Sequence, residues 1–250
     1  MLEFLPVGDQ SVSLSHSRLS SGTSVITALP EEEIKFGLVL IPDVFGLREL
    51  IEETARELAS NGIAVIAVEP FSHMSDSPSQ ISRDEKLSRM KDQDDNLQCA
   101  DVLAAAQILL TQHDCENVNL IGFCIGGMYA FKCAGTGIFD AVVSCYGMIT
   151  LPENWQGPGQ REPVDYLQME TCSKTLAIIG GQDHGFAKPD DVELLGEILE
   201  SPHHREIGSK LLIFEKAAHA FMHDPEREVY RADDARQAWV HALNFIGLRQ

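Results

Sequence analysis

Residues 120–130, "LIGFCIGGMYA", place a thiol between two glycines where an apolar run gives way to a helical pattern. Gly122-Phe123-Cys124-Ile125-Gly126, with Gly127 following, fits the order glycine, any residue, nucleophile, any residue, glycine of a sharp strand-to-helix turn. Such a turn strains its apex residue and crowds the positions two residues to either side, so glycine is needed at both. The apex side chain then stands clear of the sheet at the amino end of a helix, where free amides and the helix dipole favour negative charge. For a cysteine this favours the thiolate, which is the nucleophilic form. A tight glycine-rich turn around an inert thiol would use the same residues. A dinucleotide-binding loop fits less well, because the order is not G-x-G-x-x-G and the stretch lies at a middle strand.

A nucleophilic thiol needs a base, and the base needs a partner that fixes its tautomer. Asp183 follows the apolar run "TLAIIG", and His219 follows "KLLIF" in the stretch "EKAAHAF". Nucleophile, acid and histidine thus come in the chain order of an α/β-hydrolase. The backbone N–H groups of Ile125 and of Val44, in "IPDVFGLRE" after an earlier strand, are the candidate pair for an oxyanion hole. Asp183 could instead cap a helix. His219 and His223 have the four-residue spacing of a metal pair on a helix, but no Glu follows His219 and Pro225 disfavours a helix there. No metal or cofactor is expected. His184 lies on the wrong loop to be the base, His203-His204 reads as a loop pair, and the other histidines have no readable partners.

These residues must be held by strands and helices that alternate along the chain. Strands are expected near 11–15, 24–29, 36–41, 63–68, 117–122, 140–146, 175–180 and 210–214, and helices from about 51 to before Asn61-Gly62, over about 94–112, directly after Cys124, and over 189–200. Residues 72–95 read as polar and irregular. A terminal helix carries a packing stripe of Ala232, Ala235, Trp239, Ala242 and Ile246. The pattern implies a mostly parallel central sheet with helices on both faces, as one domain over residues 1–250. Ligands of such sheets collect at the carboxyl ends of the strands.

Bulk properties narrow the partners. A formal charge of −19 opposes nucleic acid and anionic lipid, and no apolar run approaches the roughly 20 residues needed to cross a bilayer. The start, "MLEFLPVGDQSVSLSHS", shows no basic leader, so a cytoplasmic protein is expected, as a monomer or simple homodimer. Six cysteines without a CxxC pair do not read as a disulfide framework; most fall in apolar patterns and read as buried thiols, and Cys124 alone has a neighbourhood that asks for more.

"PDVFGLRELIEETARELASNGIAVIAVEPF", "VNLIGFCIGGMYA", "IIGGQDHGF", "EKAAHAFMHD" and "ARQAWVHALNFI" together resemble the dienelactone hydrolase family of carboxymethylenebutenolidase-like α/β-hydrolases. The resemblance implies an α/β-hydrolase fold, Cys124 as nucleophile, Asp183 as acid, His219 as base, and Val44 and Ile125 as oxyanion amides. It also implies ring-opening hydrolysis of an unsaturated lactone through a thioester. Asp43 stands where the family has a glutamate that tunes the thiol, and His223 stands where the family can have a substrate-binding arginine. Arg83, Arg89 and Arg161 are candidates to hold a substrate carboxylate, though each fits a plain surface charge better, and "HAF" replaces the common "HGF". Trp155, in the loop 151–163, either packs on substrate or anchors that loop. The expected function is hydrolysis of a small ester or lactone. The alternatives are a broad small-ester or thioester hydrolase, and a binding protein that kept the scaffold without the chemistry.

Overall fold

The structure, a computed structural model, describes residues 8–75 and 77–248; the leader question falls on residues 1–7, outside them. The strands are β1 (Val12–Arg18), β2 (Ser24–Pro30), β3 (Phe36–Ile41), β4 (Ile63–Val68), β5 (Val118–Phe123), β6 (Val142–Cys145), β7 (Thr175–Gly180) and β8 (Lys210–Phe214). They form one sheet in the order β1-β2-β4-β3-β5-β6-β7-β8. β1 and β2 pair antiparallel, β2 meets β4 antiparallel, and every pairing from β4 through β8 is parallel. This is the mostly parallel α/β-hydrolase sheet expected from the sequence.

All residues of β3, β4, β5 and β7 are buried. Because neighbouring side chains on a strand point to opposite faces, both faces of the sheet centre are covered, which is why these strands read as unbroken apolar runs. The helices are α1 (Glu49–Ser60), α2 (Arg83–Ser88), α3 (Asp95–Gln112), α4 (Ile125–Ala134), α5 (Pro163–Leu167), α6 (Pro189–Leu199), α7 (Pro202–Ile207) and α8 (Ala232–Phe245). α1 buries Ile51, Thr54, Ala55 and Leu58, the face its spacing implies, and stops at Asn61-Gly62, where Gly62 takes φ +88°. α3 starts on Asp94, whose carboxylate accepts the Asn96 N–H at 2.8 Å. No helix among the described residues is long and apolar enough to cross a membrane.

Three expectations are corrected. The stretch 72–95 is not irregular throughout. It holds α2, capped by Ser82 Oγ accepting the Glu85 N–H at 3.2 Å, between single 3₁₀ turns at Pro78–Gln80 and Met90–Asp92. Its polar composition hid several buried anchors, Lys86, Met90 and Gln93 among them. His203 and His204 lie on α7 and not in a loop; buried His204 bonds Ser209 Oγ and the Leu167 carbonyl, each at 2.8 Å. On α8, Ala232 is exposed at the first turn, while Ala238 and Leu243 join the buried stripe.

Parallel strands bring the loops after β3, β5, β6, β7 and β8 to one edge of the sheet. Cys124, Tyr146, Asp183 and His219, and the segment from Asp43 to Arg48, all lie in those loops.

Candidate active site

Cys124 lies between β5 and α4 with φ 57° and ψ −115°, a conformation that strains any side-chain-bearing residue. A Cβ on Gly122 would fall 2.0 Å from the Gly126 carbonyl oxygen, and one on Gly126 would fall 2.2 Å from that of Ile41. Neither position tolerates a larger residue. The second approach also seats the loop after β3 directly against the elbow. The Cys124 N–H donates to the Cys145 carbonyl at 3.0 Å, tying the elbow to β6.

His219 bridges the two other residues. Its Nε2 stands 3.1 Å from Cys124 Sγ, and its Nδ1 stands 2.6 Å from Asp183 Oδ2. Asp183 is buried, and its other oxygen accepts the Phe186 N–H at 3.3 Å, so the carboxylate cannot swing away freely. Burial pushes the imidazole pKa down, but the Cys124 thiolate and the Asp183 carboxylate outweigh it and raise the value to about 10. The ring therefore carries its second proton at neutral pH, with Nε2–H directed at sulfur and Nδ1–H at Asp183. Cys124 itself is only 8 % exposed.

Two aromatic rings hold the imidazole. Phe186 packs 4.7 Å from it, and Tyr146 meets it edge-on at 5.3 Å. Trp155 is 2 % exposed and lies against Phe186 at 5.9 Å, so it braces the site from behind as a loop anchor. Ala220, next to His219, has φ 63°. Glycine would be unstrained there, so the "HAF" variation carries a local backbone cost.

Asp43 is fully buried, and its partners are not the thiol. Its Oδ2 accepts from His223 Nε2 at 3.0 Å and from Arg227, with Arg48 at 3.8 Å. Its Oδ1 accepts the Phe45 N–H at 3.0 Å. Burial raises a carboxyl's pKa, yet the His223 hydrogen bond and the two guanidiniums bring Asp43 down to about 2. Burial also lowers the His223 pKa, leaving a neutral ring whose Nε2–H donates to Asp43 and whose Nδ1 accepts from the Tyr146 hydroxyl. Tyr146, its own pKa raised by burial, keeps the proton this bond requires.

The same contacts orient Val44. The Asp43 carbonyl accepts the Gly46 N–H at 2.9 Å, which sets the plane of the peptide that carries the Val44 N–H. Lys86 Nζ donates to the Val44 carbonyl at 3.2 Å, and Glu69 accepts the Leu47 N–H at 2.8 Å. Neither the Val44 nor the Ile125 amide has a hydrogen-bond partner among the described residues. Two such donors are what a developing oxyanion needs.

Other candidates lie elsewhere. Arg83 pairs with Asp84, and Arg89 donates to the Met74 carbonyl at 2.9 Å and faces Glu85 at 3.5 Å. Arg161 is exposed, and its backbone N–H donates to Asp95 at 2.8 Å. None of the three contacts Cys124, Asp183 or His219: α2 is amphipathic and turns Lys86 inward, which leaves Arg83 outside. The arginines that do reach this edge, Arg48 and Arg227, were missed, as was Tyr146. Arg48 lies in the loop already singled out for Val44, and Tyr146 follows a strand at its carboxyl end. Position alone would have nominated both. Arg227 had no local signal. Among the described residues no three His, Cys, Asp or Glu side chains converge as metal ligands would.

Residues 24–248 match the model of the dienelactone hydrolase family. The chain is 26% identical over 215 residues to the probable 2-oxo-3-(5-oxofuran-2-ylidene)propanoate lactonase of Bradyrhizobium sp, covering 84% of this chain and 82% of that protein. It is 28% identical over 214 residues to the carboxymethylenebutenolidase of Rhodococcus opacus, covering 84% and 79%. In architecture it is similar to a Klebsiella pneumoniae protein provisionally assigned as a dienelactone hydrolase, with TM-score 0.79 and 21% identity over 94% of this chain and 98% of that one.

Proposed function

This chain belongs to the dienelactone hydrolase family, and from that premise we propose that it hydrolyses a small ester or lactone through a thioester on Cys124. The observation that carries the reading is the imidazole of His219, within hydrogen-bond reach of both Cys124 Sγ and Asp183. The thiolate attacks the carbonyl, and the oxyanion forms against the Val44 and Ile125 amides. The His219 imidazolium gives its Nε2 proton to the leaving alkoxide. The imidazole, now neutral, takes a proton from water, and the hydroxide cleaves the thioester. Asp183 keeps the ring in one orientation throughout. An oxygen leaving group departs more easily than an amine, which favours esters and lactones over amides. The names of the Bradyrhizobium and Rhodococcus relatives point to a lactone.

Intact-protein mass spectrometry after acid quench with p-nitrophenyl acetate tests the reading. One acetyl group is expected, and peptide mapping places it on Cys124. A productive enzyme whose acyl group maps to another residue, or that forms none, refutes the thioester.

The raised His219 pKa sets a pH limb. The protonated ring is the acid for the leaving group, so kcat/KM for an alkyl ester is expected to hold at neutral pH and fall as pH climbs through about 10. An aryl ester, whose leaving group needs no proton, should show a shallower fall. The stability linkage has the same sign: the pairing of His219 stabilises fully below 6.5 and is lost as pH rises toward about 10. A descending limb centred near 7 for both esters would contradict the ion pair.

A further inference from the structure

The charges beside the elbow balance before any substrate arrives. Arg48 pairs with Asp224 at 2.8 Å and lies 3.8 Å from Asp43. Arg227 pairs with Asp43 and, at 3.3 Å, with Asp224. Two guanidiniums therefore face two carboxylates. Both guanidiniums also lie over the ring of Phe45, at 5.3 Å and 5.0 Å from its centre. Lys86, 3 % exposed, donates to the Val44 carbonyl while Glu69 accepts from Leu47 on the same loop. Wherever the proton resides between that lysine and that glutamate, the two together add no net charge. Wherever the proton resides between Cys124 and His219, that pair also adds no net charge, and the Asp183 carboxylate beside it leaves one negative charge unbalanced.

We infer that the acyl group accepted at Cys124 is uncharged: an alkyl or aryl acyl chain, or a lactone ring without a carboxylate. The inference rests on the thioester reading above and narrows its substrate class. A carboxylate on the acyl group would have to draw Arg48 or Arg227 away from Asp43 or Asp224. Asp43 is fully buried, and a buried carboxylate stripped of its cations is strongly disfavoured. Without that exchange the anion meets the unbalanced negative charge in a setting where water screens poorly. The exposed groups beside these charges are aromatic: Phe45, 42 % exposed, under the two guanidiniums, and partly exposed Phe186 against the imidazole.

Mono-p-nitrophenyl adipate, an anion at neutral pH whose carboxylate does not readily close on its own ester, and its neutral twin methyl p-nitrophenyl adipate test this with one leaving group. The neutral ester is expected to have the higher kcat/KM by at least about tenfold, a gap that narrows in 1 M salt. Asp224→Asn, which keeps the shape but removes the charge closest to Arg48, should shift the ratio several-fold toward the anion. Arg48→Gln should slow neither ester selectively. Equal or faster turnover of the anion by the wild-type protein overturns the inference. So does an unchanged ratio in Asp224→Asn, or a loss confined to the anion in Arg48→Gln. Mass spectrometry separates the two levels. Acylation of Cys124 that favours the anionic ester removes only this inference, whereas no acylation by either ester removes the thioester reading as well.

Discussion

Replacing Cys124 with alanine should lower kcat/KM for every ester by at least about 10⁴-fold while leaving the protein folded. The alanine Cβ occupies the same place in the turn, and the one side-chain hydrogen bond of Cys124 among the described residues is to His219, so little beyond the sulfur's own packing is lost. What disappears is the sulfur proposed to form the acyl bond. The residue left behind still has two candidate oxyanion amides and an oriented imidazole, so catalysis through activated water sets a low floor. A second readout is diagnostic. The thiolate heads the influences that raise the His219 pKa, so the imidazole of Cys124→Ala should titrate well below about 10 in an NMR titration. Thermal unfolding near that of the wild-type protein, together with the kinetic loss, isolates chemistry from folding. Turnover within tenfold of wild type would show that the acyl group is carried elsewhere.

The second large effect is on stability. Asp43→Ala removes the carboxylate on which His223, Arg227 and Arg48 converge; the buried His223 Nε2–H loses its acceptor, and the two guanidiniums are left to share Asp224 alone. Breaking a buried ion pair from one side costs about 3–5 kcal/mol. The pH dependence has a definite sign. Asp43 titrates near 2 in the folded protein against an ordinary 3.8, so its contribution is full above about pH 4 and is lost as pH falls through 2. The stability gap between wild type and Asp43→Ala should accordingly shrink between pH 7 and pH 3 in urea unfolding. Activity should fall too, because the Phe45 N–H loses its acceptor beside the Val44 peptide. Asp43→Asn, which keeps an oxygen for that amide, should recover part of kcat but little of the ion-pair stability. A variant as stable as wild type at pH 7 would mean that the guanidiniums find other partners, and the reading of Asp43 as the hub of this network would fail.

Asp43 also shows where a family expectation and the folded chain part company. A glutamate at this position is implied to pair with the thiol. The shorter aspartate is instead drawn to His223, which occupies the position of a possible arginine, and to Arg227 four residues further on. The three differences fit one another: with one methylene less on the acid and an imidazole in place of a guanidinium, the buried charge finds its cation one turn of loop later. From the sequence each change stood alone.

Much of the protein was legible without coordinates because the signals are local. A parallel strand buried on both faces must be continuously apolar, so β3, β4, β5 and β7 stand out and their order with the helices implies the sheet. Backbone sterics alone tie Cys124 to Gly122 and Gly126, and chain order points to Asp183 and His219. What the linear chain could not determine was pairing between charges far apart in it. Arg48 meets Asp224, Asp43 meets Arg227, and Tyr146 meets His223 across separations of 176, 184 and 77 positions. Such partners are chosen by which loops the parallel sheet delivers to one edge and by the cost of leaving any buried charge alone. Those contacts, and through them the charge presented to a substrate, were decided only when the chain folded.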